Sequence, residues 1–200
     1  MPVKRKRRPY RSDVRAAAAD ETRARIVAAS HRLLSGGRDR PAFSIDAVAR
    51  EAGVTRLTVY NQFESRRGLL EAVFDEMAMQ GGLFELPNVM TETDPLRALR
   101  RVVAVFCHFW ASHGSAYLTL SALTKLDEEI GAALKQRTER RRRVLTTLVG
   151  RLPAVGDRDS LVDVLFVLTS FETFDALCIR KRSHAEVEAL IWRLVETIVQ

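Results

Sequence analysis

The run Thr55-Arg56-Leu57-Thr58-Val59-Tyr60-Asn61-Gln62-Phe63 gathers a guanidinium, two threonine hydroxyls, a phenol and two amides in nine residues. Those groups suit nucleic acid. A guanidinium grips guanine edges, Asn and Gln amides pair with adenine edges, and Thr or Tyr hydroxyls bond phosphate oxygens. The same set also suits a solvated polar face on a helical hairpin. The elements that hold these residues decide between the two.

The run follows a helix and a tight turn. Ser44 is placed as an N-cap, Ile45, Val48 and Ala49 fall on one helical face, and Gly53 supplies the backbone freedom a turn needs. The next helix is expected over Arg56 to Phe63. Val59 and Phe63, four apart, turn inward, which leaves Thr55, Arg56, Leu57, Thr58, Tyr60, Asn61 and Gln62 with varying exposure. Helix, turn with glycine, helix is the unit that offers its second helix to the DNA major groove.

Around it the chain reads as helix throughout. A first helix is expected from Asp20 to about Ser35, with Ile26, Ala29, Leu33 and Leu34 on one face. Ser65 opens another helix that carries Leu69, Leu70, Val73, Phe74 and Met77 to Gly81-Gly82. Asp94-Pro95 opens a helix to about Ser112, and a short helix is expected over Ser115 to Leu123. Asp127 starts a long helix to near Pro153. Ser160-x-x-Asp163 resembles a capping box and opens a helix to about Arg180, and Ser183-x-x-Glu186 opens the last. No strand is expected. The expected class is all-α: an N-terminal three-helix helix-turn-helix DNA-binding domain plus a C-terminal helical ligand-binding and dimerisation bundle. The expected divisions are a flexible basic arm over 1–19, the helix-turn-helix domain over 20–80 and the C-terminal domain over 81–200.

Charge agrees with a polyanion partner at one end. The net charge of the 200 residues is +7. Residues 1–25 hold nine Lys/Arg against three acids, so the remainder is nearly neutral. A membrane surface or a targeting receptor would give the same signal. No apolar stretch follows the basic start, so a secretory signal is not expected. No segment reaches the roughly 18 apolar residues of a membrane span. The two cysteines, Cys107 and Cys178, form no metal-spaced pair and fit a reducing cytoplasm.

The stretch resembles the DNA-binding domain of the TetR family of bacterial one-component repressors. The residues that carry the resemblance are Ile26-x-x-Ala29, then Phe43-Ser44-x-x-x-Val48-Ala49-x-x-Ala52-Gly53-Val54-Thr55-x-x-Thr58-Val59-Tyr60-x-x-Phe63, then Ser65-Arg66-x-x-Leu69-Leu70. It covers about residues 20 to 75. It implies that Ser44, Thr55 and Tyr60 bond phosphates. Arg56, Leu57, Thr58 and Asn61 would face bases, Leu57 touching a thymine methyl. Arg66 stands where the family usually has lysine and would contact phosphate. Two positions depart: Gln62 replaces a usual His or Tyr, and Arg67 replaces a usual acid. Arg5, Arg7 and Arg8 of the arm are candidates for a minor-groove or phosphate contact, beside a plain solubility role.

Two apolar stripes lie near the C-terminus. One carries Leu161, Val164, Leu165, Leu168 and Phe171; the other carries Val187, Leu190, Ile191, Leu194, Val195 and Ile198. A single bundle would bury them internally. The resemblance implies instead that the last two helices pair across a twofold axis, with Leu161, Val164, Leu168, Val187, Leu190, Ile191, Leu194 and Ile198 at the homodimer interface. Such a dimer would read a palindromic double-stranded operator.

An aromatic group, Phe106, His108, Phe109, Trp110, Tyr117, Phe166, Phe171 and Phe174, is either core or the lining of a pocket for an unidentified small-molecule ligand. The run Arg140-Arg141-Arg142-Arg143 wraps most of a helix and is either a salt-bridged surface or an anion site. No Ser-His-Asp order, phosphate-binding glycine loop or metal spacing is present, so neither enzyme, cofactor nor metal site is expected. The leading expectation is a ligand-released, sequence-specific repressor in the cytoplasm. The alternatives are a nonspecific or architectural DNA-binding protein, and an interaction protein on the same fold.

Overall fold

A computed structural model describes residues 10–36, 42–125, 127–153 and 156–199. The described residues form ten α-helices and no strand. They divide into two compact units, Met1–Val73 and Phe74–Gln200. The division falls inside a helix, earlier in the chain than the glycine pair on which the expected boundary rested.

The first unit holds α1 (Tyr10–Ser35), α2 (Ile45–Ala52), α3 (Arg56–Phe63) and the start of α4 (Arg66–Gln80). Helix α1 begins ten residues before the expected Asp20, so part of the expected arm is helical. Ala16 to Ala19 favour it, since alanine loses no side-chain freedom in a helix. Residues 14–21 are exposed, and burial starts at Ile26. Arg5, Arg7 and Arg8 lie outside the described residues. The core is Ile26, Ala29, Leu34, Val48, Val59, Phe63 and Leu69, each nearly or fully buried.

The second unit follows from α4. A 3-10 turn, Leu83–Glu85, and α5 (Leu86–Met90) lead into α6 (Pro95–Leu123). Asp94 caps α6 by accepting from the Leu96 and Arg97 N–H groups at 2.9 and 3.3 Å. Helix α6 is continuous where two helices were expected. Its Gly114 is a packing residue and not a break: a Cβ there would lie 2.7 Å from the Phe171 ring.

Helices α7 (Glu128–Gly150), α8 (Arg158–Leu168), α9 (Phe171–Cys178) and α10 (His184–Val199) complete the unit. The expected helix over 160–180 is two helices. Asp157, not Ser160, caps α8, accepting from the Ser160 N–H at 3.0 Å. The chain breaks at Thr169, and Ser170 caps α9 by accepting from the Thr173 N–H at 3.1 Å. The capping box at Ser183 is formed: the Ser183 N–H donates to Glu186 at 2.7 Å and the Glu186 N–H to the Ser183 hydroxyl at 3.3 Å.

Candidate DNA interface and ligand cavity

The turn before α3 is set by one residue. Gly53 ends α2 with φ +65°, in the left-handed region where glycine carries no Cβ penalty, and its N–H bonds the carbonyls of Ala49 and Arg50. Thr55 then caps α3. Its hydroxyl accepts from the Thr58 N–H at 3.1 Å and shares a proton with the Thr58 hydroxyl at 2.8 Å. Ser44 caps α2 in the same way, accepting from the Ala47 N–H at 3.1 Å. A capping hydroxyl accepts with one lone pair and keeps its O–H for another partner. Capping and phosphate bonding are therefore compatible at Ser44.

Val59 and Phe63 are buried, so α3 has a fixed face against α1 and α2. Its other side carries Arg56, Leu57, Tyr60 and Asn61, all exposed, with Thr58 and Gln62 half-buried. Leu57 is 68% exposed, a large apolar side chain left mostly uncovered among the described residues. Arg56 pairs with Asp46 at 3.4 Å and lies 5.7 Å from the Tyr60 ring centre. A hydrogen bond with Tyr60, and then the Asp46 charge, hold its guanidinium above the ordinary arginine value. Arg66 is half-buried, 5.8 Å from the Phe43 ring centre.

One positioning residue lay outside the sequence reading. Arg23 of α1 donates to the Gln62 carbonyl at 2.7 Å and stacks over Phe63 at 4.3 Å. It satisfies a carbonyl in the last turn of α3 and interacts favourably with the negative end of that helix. They stand 39 positions apart with no spacing signal, so nothing in the sequence pairs them.

The stripes expected at a dimer interface divide. Leu161, Val187 and Ile191 are buried within the chain, where α10 packs on α6, α8 and α9. They are core, because a four-residue period lays the inner and outer edges of an apolar stripe side by side. Leu168 and Leu190 are half-buried. Val164 at 44%, Leu194 at 44% and Ile198 at 42% remain exposed. Val167, unremarked in the sequence, joins them as a largely exposed apolar side chain on α8.

The second unit contains a cavity of about 330 Å³ between the end of α4, the 3-10 turn, α6 and α7. This lies within the range of small-molecule sites. Phe106, Phe109, Trp110 and Tyr117 line it; His108, Phe166, Phe171 and Phe174 do not. His108 is exposed. Phe171 backs the wall, 5.7 Å from the Trp110 ring and 5.2 Å from Tyr117. Phe174 packs on His184 at 5.6 Å. Phe166 is covered by Arg141 at 4.1 Å and Arg142 at 4.3 Å.

On the α7 side the sequence reading singles out only the arginine run, as a salt-bridged surface or an anion site, and not the rest of the cavity wall. Leu134, Arg137, Thr138, Arg141 and Val144 recur at helical spacing and form one wall, with Arg140 beside them. The four consecutive arginines thus part company. Arg142 pairs with Asp163, Arg143 is exposed, and Arg140 and Arg141 reach the cavity. The break at Thr169 helps to hold Arg141: the freed Thr169 carbonyl accepts from Arg141 Nη1 at 2.7 Å and from Trp110 Nε1 at 3.0 Å. Burial pushes the Arg141 guanidinium down to about 10, and neighbouring Tyr117 and Glu172 offset part of that. Cys107 is buried too, and burial pushes its thiol up to about 12, which makes it inert.

Residues 26–73 match the family model of bacterial regulatory proteins, tetR family. The chain is 30% identical over 95 residues to the HTH-type transcriptional regulator EthR of Mycolicibacterium smegmatis, an alignment spanning 47% of this chain and 43% of that protein. The chain therefore matches less than half the length of that relative. Two solved structures share the fold over nearly the whole chain. One is a TetR transcription regulator from Haloarcula marismortui, with TM-score 0.69 and 16% identity over 90% of this chain and 97% of that one. The other is the transcriptional regulator FadR from Bacillus subtilis in complex with stearoyl-CoA, with TM-score 0.63 and 17% identity over 88% of this chain and 97% of that one.

Proposed function

We propose that this chain, whose residues 26–73 match the model of the tetR family of bacterial regulatory proteins, is a TetR-family, sequence-specific DNA-binding transcriptional regulator. The observation that carries the proposal is α3: capped by Thr55 after a left-handed Gly53, anchored by Val59 and Phe63, and presenting Arg56, Leu57, Tyr60 and Asn61 outward. Arg56, Leu57, Thr58 and Asn61 read base edges, and Ser44, Thr55, Tyr60 and Arg66 hold phosphates. The protein works in the cytoplasm as a homodimer, joined through the exposed apolar edge Val164, Val167, Leu194 and Ile198, and reads a palindromic operator. A small molecule in the cavity of the second unit releases it from DNA by binding the two conformational states unequally. The cavity itself, and a protein of the same fold solved with stearoyl-CoA, support the ligand part of the reading.

The test is fluorescence anisotropy with the full chain against the DNA flanking its own gene, beside a scrambled duplex. The expected result is a preference of about a thousandfold or more for one flanking duplex. Equal, salt-sensitive binding to both would favour the architectural alternative.

A further inference from the structure

The cavity wall carries three guanidiniums, Arg137, Arg140 and Arg141, and one carboxylate, Asp75. Asp75 is already engaged, bonded to Arg137 at 2.9 Å. Among the described residues no carboxylate lies within ion-pair distance of Arg140 or Arg141. The neighbour shows what a purely structural arginine on this helix does: Arg142 takes Asp163 as its partner. Arg141 instead turns into an aromatic wall. Its guanidinium lies 4.1 Å from the Phe166 ring centre and 5.7 Å from that of Phe106. The Thr169 carbonyl is its hydrogen-bond acceptor among the described residues, and a guanidinium has five N–H donors.

A charge held against aromatic rings with no described carboxylate in ion-pair range is unfavourable: burial depresses the Arg141 pKa, and Tyr117 and Glu172 offset that only in part. An anion in the cavity removes that cost. The rest of the wall sets the remainder of the ligand: Phe74, Leu83, Phe109 and Trp110 are apolar, and Met79 and Phe84 stay largely exposed at its edge. We infer that the cavity takes an amphipathic anion, with one carboxylate or phosphate head on Arg141 and Arg140 and an apolar body along Phe74, Phe109 and Trp110. This rests on the reading above that the cavity is the ligand site. A quaternary ammonium is repelled by the same wall, and a neutral body of equal size leaves Arg141 unmatched.

The experiment is isothermal titration calorimetry of the full chain with four probes, each below its critical micelle concentration or, for the alcohol, its solubility limit: dodecanoate, dodecyl phosphate, dodecanol and dodecyltrimethylammonium. At least one anion should bind about tenfold or more tighter than dodecanol, as charge-assisted hydrogen bonds require, and the ammonium weakest. The stronger of the two anions separates a carboxylate head from a phosphate. Arg141→Met should lose about that factor for the anion and leave dodecanol unchanged. Arg140→Met, at an exposed position, repeats the test if Arg141→Met fails to fold, and Arg141→Lys should recover part of the anion affinity. Equal binding of dodecanol and the anions, or anion affinity unchanged in both methionine variants, overturns the inference while leaving the cavity a ligand site. Binding of none of the four overturns both.

Discussion

Arg56 and Arg141 are the same residue in opposite settings. Arg56 stands in solvent on a short helix, beside Asp46 and Tyr60. Arg141 is set in a wall of rings with a backbone carbonyl as its acceptor. An exposed guanidinium is already hydrated and gains from a partner mainly through geometry, as a bidentate grip on a base provides. Arg141, half-buried against rings, has lost much of that solvation, so a single anion changes its energy more. The first setting suits a long polyanion read by many weak contacts. The second suits one small ligand.

Substitutions can break this contrast. The largest effect belongs to Phe63, which is buried beneath Arg23 and fixes the inward face of α3. Phe63→Ala should cost about 3–5 kcal/mol by denaturant unfolding. DNA binding should vanish while calorimetry still finds the cavity intact. Loss of both would mean the two units unfold as one. Next come the outward residues. Arg56→Ala and Asn61→Ala should each reduce preference for the operator by about 1–3 kcal/mol in anisotropy. Arg66→Ala should weaken all duplexes alike and lower the salt slope by about one phosphate.

Leu194→Glu places a charge on the exposed apolar edge of α10. Light scattering should show a monomer, with operator affinity down by about tenfold or more because two half-sites no longer act together. A dimer that survives would move the interface elsewhere. The smallest effect concerns Glu186. Backbone and side-chain hydrogen bonds from Ser183 hold its carboxyl below the ordinary glutamate value. A depressed carboxylate pKa contributes stability present above the ordinary value and lost as pH falls through the folded value. Glu186→Gln should therefore lower melting slightly at pH 7, flatten the acid limb of a thermal-melt profile, and melt like the parent chain at pH values below the folded Glu186 pKa.

The first unit was legible because its signals are local. Ser44, Gly53, Thr55 and the Val59–Phe63 pair act within one or two turns, and the structure places each as a cap, a left-handed turn or a buried anchor. The second unit was less so. The stretch from Ser112 to Ser115 reads as a gap between two helices, yet the chain stays helical there and Gly114 makes a close approach to Phe171, a residue far along the chain. Thr169-Ser170 reads as part of a helix, yet it is the break whose carbonyl holds Arg141. The periodicity of Leu134, Arg137, Thr138, Arg141 and Val144 was visible, but nothing local says that a helical face meets a cavity and not solvent. An apolar stripe on α10 likewise does not say which of its edges is covered within the chain.

The most direct test of the account is selection from a random duplex library by the full chain, followed by sequencing of the bound pool. The account predicts enrichment of a palindrome whose half-site centres lie about one helical turn, or a multiple of one, apart. A bound pool with no shared sequence would contradict it, leaving α3 a solvated face and the basic residues a nonspecific grip on DNA.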